Sequence, residues 1–177
     1  MLPELSRGFD TLAATRARFL TRVRGVTPGQ RSFRPTPATW SMLDVTEHLV
    51  LAEEHSVLGV QKGPPPGVRA TLVASVRMVL VRAVLDSPLK VKVPVSRVIP
   101  TGSPDLETLE ARWAAAAGAL AALFDRVDAS QRRAASFRHP IAGWVSAREG
   151  LGFLAAHIRH HERQLGRLQS LPGFPTA

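Results

Sequence analysis

Two histidines one helical turn apart, His157 and His161, lie in the stretch Ala156-His157-Ile158-Arg159-His160-His161-Glu162-Arg163-Gln164. From Ser146 to Leu168 apolar residues recur at helical spacing, with Leu151, Leu154, Ile158, Leu165 and Leu168 on one stripe. On that wheel His161 falls inside the stripe, His157 borders it and His160 falls off it. Arg148, Arg159, Glu162 and Arg163 occupy the opposite face. Two imidazoles aimed at an interior repel each other if both are protonated, and each must satisfy its ring nitrogens. One divalent ion meets both needs, because neutral imidazoles at i and i+4 can chelate it. Hydrogen bonds to backbone carbonyls or water meet the second need as well, so the pair alone leaves both readings open. The zinc-protease motif is excluded: Ile158 follows His157, where that motif carries a general-base glutamate.

A third ligand has to come from another helix, and His48 is the candidate. It borders the apolar stripe Met42, Val45, Leu49 and Ala52 of a helix that Ser41 can cap, with Asp44 three residues on. Asp44 is also one turn before His48 and could accept its second ring N–H, although capping is its expected role. Helical bundles build metal sites from such inward side chains, and three neutral imidazoles leave a position open for water or substrate. Glu47, Glu53 and Glu54 all fall off the His48 face, so a carboxylate base is poorly placed. A dication with neutral ligands would itself supply the chemistry, holding a hydroxide or a thiolate at neutral pH. Gln164 is placed to orient a bound water or a substrate and is the candidate catalytic residue. His55, His139 and His160 are expected at the surface or in loops. Trp40 and Trp144 are expected to pack, with a pocket mouth as the alternative.

The elements that must position these residues follow from periodicity and breakers. Pro3 to Val23 predicts a first helix, and Gly25 to Pro37 a loop. The His48 helix ends before Gln61-Lys62-Gly63-Pro64-Pro65-Pro66-Gly67. Val68 to Leu85 predicts an apolar helix, and Asp86 to Pro104 a linker in which Leu89 to Val93 could be extended. Asp105 to Val127 predicts an Ala-rich helix capped by Ser103 with Pro104 at its first position. Asp128 to Val145 reads as irregular. Ser146 and Glu149 then form a capping box for the helix of His157. These elements predict an all-α fold: a four-helix bundle with long crossover connections and one inserted helix. One domain spans 1–177, with 61–104 as insert and linker and 171–177 as a tail.

Composition narrows the class. The chain has 177 residues, enough for one domain with a real core. It has no cysteine, which removes disulfides, thiolate metal sites and a cysteine nucleophile. The net charge of +9 comes from arginines spread along the whole chain, without a Lys/Arg run or interleaved aromatics. No nucleic-acid partner is therefore expected. The most apolar stretch, 70–85, contains Arg77 and Arg82 and is short for a membrane span, and the start of the chain has no signal-peptide pattern. A cytoplasmic protein without membrane attachment is expected.

Taken together, Trp40-Ser41, Glu47-His48-Leu49, a distant His139-Pro140 with Gly143, and His157-x3-His161-x2-Gln164 resemble the DinB/YfiT-like superfamily over nearly the whole chain. The resemblance implies a four-helix bundle whose metal, zinc or nickel, is held by His48, His157 and His161. It also implies transfer of a small thiol of the bacillithiol, mycothiol or glutathione type. A related isomerase group carries Glu-x3-His on its metal helix; His157 in the first position argues against it. The expected function is a metal-dependent transferase that joins an external thiol to a small-molecule electrophile. The alternatives are a non-catalytic protein binding a small molecule or partner, and a metal-dependent hydrolase. The resemblance also implies a possible homodimer, with the apolar Leu72 to Leu85 helix as a plausible contact.

Overall fold

The computed structural model describes residues 1–87, 96–102 and 104–176. Six helices carry them: α1 (Pro3–Arg24), α2 (Pro28–Ser32), α3 (Met42–Lys62), α4 (Leu72–Asp86), α5 (Leu106–Asp125) and α6 (Ala147–Gln169). Strands β1 (Phe137–His139) and β2 (Gly143–Val145) form an antiparallel hairpin, with Phe137 opposite Val145 and His139 opposite Gly143. The chain is mostly helical, as expected, with this small sheet placed where an irregular segment was expected.

Local chemistry sets the boundaries. Ser41 Oγ accepts from the Asp44 N–H at 3.1 Å, and Asp44 Oδ2 accepts from the Ser41 N–H at 2.7 Å, so α3 opens on a reciprocal capping box. Ser146 and Glu149 do the same for α6. A third box, Thr27 with Gln30, nucleates α2 inside the expected loop. α4 starts later than Val68, at Leu72, because the Thr71 side chain accepts from Ala74 N–H at 3.1 Å and caps it there. α5 also starts later than expected: its cap is Asp105, whose Oδ1 accepts from Thr108 N–H at 2.7 Å. The expected cap Ser103 and the extended piece 89–93 lie outside the described residues.

α6 lies at the centre of the packing. α1 runs parallel to it, with Gly8 against Leu151, Arg18 on Glu162 at 2.9 Å and Arg22 on Gln169. Leu5, Leu12, Phe19 and Val23 bury the inner stripe of α1, and Trp113 of α5 meets Phe19 edge-on at 5.8 Å. Glu53 ties three helices together. It is 1% exposed and accepts from Arg16 of α1 at 2.6 Å and from Trp113 Nε1 of α5 at 2.7 Å. A carboxylate so deeply buried is tolerable only because a cation and a second donor both reach it. α4 lies along the other flank of α6: Arg82 covers Gly152, and the Leu85 carbonyl accepts from the His160 ring. Its outward face stays apolar and exposed, with Leu72 at 81%. The hairpin docks on α6 where Gly150 has no side chain; a Cβ there would sit 2.5 Å from Phe137 Cγ.

Candidate metal centre

α3 and α6 bring three imidazoles to one point. Nε2 of His48 and Nε2 of His161 each lie 3.1 Å from Nε2 of His157, and the potential ligand atoms of all three fall within 4.8 Å of one another. Two of the other ring nitrogens are tied back. His48 Nδ1–H donates to the Val98 carbonyl at 2.7 Å, and His161 Nδ1–H donates to Gln164 Oε1 at 2.8 Å. With both protons on Nδ1, the Nε2 atoms of His48 and His161 present lone pairs to His157. His157 Nε2 can hold one hydrogen and donate it to one neighbour. The other neighbour's lone pair then faces a ring nitrogen with no second hydrogen to give, an unmet contact that a cation relieves.

The residues fit such an ion. Tetrahedral zinc with Zn–N bonds of about 2.0–2.1 Å spreads its ligand nitrogens to roughly 3.3–3.4 Å, a few tenths of an ångström beyond the spacing here. A donor set of three imidazole nitrogens without carboxylate suits zinc or nickel rather than calcium or magnesium. The outer partners are those that usually fix ligand tautomers, one backbone carbonyl and one side-chain amide oxygen. Gln164 thus orients His161 directly. Asp44 caps α3 and pairs with Arg34 at 2.7 Å; the Val98 carbonyl, at the far end of the 61–104 insert, takes the place expected for it behind His48. Trp40 packs its ring 5.0 Å from His48, and Phe153 stacks on His157 at 5.5 Å.

All three imidazoles are held neutral, the form that binds metal. Burial, reinforced by His48, pushes His161 down to about 3 against a smaller opposing pull from Gln164. His157 lies well below its ordinary range, first through burial and then through His161 and His48. Burial lowers His48 too, opposed by the Val98 carbonyl. Among the described residues no carboxylate competes for the site. Glu47 accepts from Thr101 Oγ1 at 2.7 Å and Gly102 N–H at 2.8 Å, Glu53 is bonded as described, and Glu54 pairs with Arg112.

Two histidines differ from expectation. His160, expected at the surface, is 6% exposed because α4 covers that flank of α6, and its Nδ1–H donates to the Leu85 carbonyl at 3.0 Å. His139, expected in a loop, is 5% exposed in β1, with its ring edge-on to Phe153 at 4.5 Å. His55 is exposed, as expected.

A cavity of about 390 Å³ opens from the three histidines, within the size range of small-molecule sites. Leu80, Val81 and Val84 of α4 form one wall and Phe153 another, while His139, Pro140 and Ile141 of the hairpin and His55 of α3 also line it. Neither Trp40 nor Trp144 lines it. Sequence reasoning missed the α4 wall and His139. The period of α4 was legible, but its placement against α6 depends on contacts far away in the chain.

The sequence model of the DinB superfamily matches residues 11–165. No curated protein and no solved structure matches the chain.

Proposed function

The chain belongs to the DinB superfamily, and from that membership and the three-histidine centre we propose a metal-dependent transferase that directs an external low-molecular-weight thiol at a small electrophile. His48, His157 and His161 hold a divalent ion, zinc or nickel, and the thiol is of the bacillithiol, mycothiol or glutathione type. In this reading α1, α3, α5 and α6 are the members of a four-helix bundle, α4 belongs to the insert, and the protein is cytoplasmic. The ion, when bound, supplies the positive charge that keeps a thiol ionised at neutral pH.

The observation that carries the proposal is the convergence of Nε2 lone pairs at 3.1 Å spacing, which calls for a cation. The chain's own residues shape the rest. Val98 and Gln164 hold His48 and His161 in the tautomer that leaves Nε2 free. Leu80, Val81, Val84 and Phe153 give the electrophile an apolar seat that excludes water. With no cysteine in the chain, the thiol comes from outside.

The apolar lining of the cavity supports a second reading, a non-catalytic protein that binds an apolar small molecule. Elemental analysis of the purified protein, followed by thiol consumption with bacillithiol and glutathione over a panel of electrophiles, separates the two. One metal per chain and thiol consumption that His161→Ala abolishes are expected. Metal without thiol consumption favours the binding protein, and electrophile turnover without thiol favours a hydrolase. Protein that binds no divalent metal under any loading sinks the proposal.

A further inference from the structure

His139 lies outside the three-histidine centre and has its own geometry. It ends β1, and the turn that follows folds back on it, so that the N–H groups of Ile141 and Ala142 donate to its Nδ1 at 3.2 and 3.1 Å. A ring nitrogen that accepts carries no hydrogen, so the proton sits on Nε2. That N–H has no partner among the described residues. Nor is it one of their sealed-off unpaired atoms, which belong to Arg16, Arg82 and Arg163. His139 lines the cavity, and its Nε2–H is therefore a donor presented to whatever the cavity holds. The ring cannot rotate to change this without breaking two backbone hydrogen bonds.

The placement says what the donor meets. Phe153 separates His139 from the centre, with His139 edge-on at 4.5 Å and His157 stacked at 5.5 Å on the same ring. Phe153, His139 and the three histidines line one cavity, so a molecule held there can reach both the centre and His139. We propose that the substrate is an apolar carbonyl compound whose oxygen accepts a hydrogen bond from His139 Nε2–H, and that for thiol transfer this selects α,β-unsaturated carbonyls. This rests on the thiol-transferase reading for the reaction, but not for the binding. In the addition, the thiolate sulfur bonds to the β-carbon and the C=C π pair shifts to leave an enolate. Its oxygen gains charge where the donor already points, and a proton from water then closes the α-carbon. A neutral donor fixed beforehand stabilises developing charge without reorganising. Burial, which pushes His139 down to about 4, keeps it neutral through the physiological range.

The test is His139→Asn. Asparagine can accept from the same turn N–H groups through an Asx turn but is too short to offer the cavity a donor. Two measurements are made on metal-loaded protein. The first is the infrared carbonyl stretch of bound 4-phenyl-2-butanone, which involves no thiol. The second is turnover of 4-phenyl-3-buten-2-one against benzyl chloride with glutathione. The ketone band should move to lower frequency on binding to the wild type, and the shift should vanish in His139→Asn. Enone turnover should fall by about a hundredfold more than benzyl chloride turnover. An identical ketone band in both proteins, or equal losses with both electrophiles, overturns the proposal. If neither electrophile reacts with thiol in the wild type, the transferase reading fails, and the ketone band still decides the role of His139.

Discussion

Replacing His139 with asparagine should make the protein more resistant to mild acid, and the structure sets the size of the effect. His139 is buried in the fold and pushed down to about 4 from an ordinary 6.5. Above pH 6.5 the ring is neutral in both the folded and unfolded chain and contributes nothing to the pH dependence. Below 6.5 the unfolded chain takes up a proton that the folded chain refuses until about pH 4. Stability is therefore lost as pH falls through that window, by about 1.4 kcal/mol per unit and about 2 kcal/mol by pH 5. Asparagine does not titrate, so this loss disappears. Urea denaturation followed by the fluorescence of the three tryptophans, at pH 7.5 and pH 5.0 and with equal metal content, measures it. The other buried histidines are common to both proteins and drop out of the comparison. At pH 7.5 the variant should be the less stable, having lost ring packing on Phe153. Between the two pH values the difference should shift by about 2 kcal/mol in its favour. Parallel stability profiles would refute the reasoning, since they would mean that the folded His139 titrates like a free one.

The remaining predictions concern the centre and the core. His161→Ala should abolish metal retention through gel filtration, while His160→Ala should keep the metal and lose about 1 kcal/mol of stability, because the Leu85 carbonyl loses one of its two donors and keeps Arg163. Elemental analysis and thermal melts of both variants check this, and the reverse outcome would make His160 the ligand. Glu53→Ala should cost about 3–5 kcal/mol in urea denaturation, since it leaves Arg16 and the Trp113 N–H without their buried acceptor.

The sequence disclosed what depends on neighbours within a turn or two. Ser41 with Asp44 and Ser146 with Glu149 mark their helix starts because the capping partners are three residues apart. His48, His157 and His161 stood out because each lies on or beside an apolar stripe, and the structure brings their rings together. The wheel misplaced His160 because it allows α6 one buried stripe, whereas α1, α3 and α4 approach α6 from different sides. His139 escaped because strands of three residues leave no period to detect, and its burial depends on Gly150 admitting Phe137. The carbonyl behind His48 was beyond reach, since Val98 lies 50 residues from the imidazole it holds.

The pairing of α1 with α6 also bears on how the protein is made. Arg18 and Glu162 are 144 residues apart, and His48 and His157 are 109 apart. A ribosome adding about 5–20 residues per second needs roughly 5–20 s to travel from the first histidine of the centre to the next. During that interval the nascent chain carries one ligand of three, and the stripe of Leu5, Leu12 and Phe19 waits for the helix that will cover it. In the proposed metal protein, capture of an ion would belong to the period after His161 has emerged, and a chain stalled before Ser146 would present uncovered apolar surface to chaperones with one of the three histidines in place.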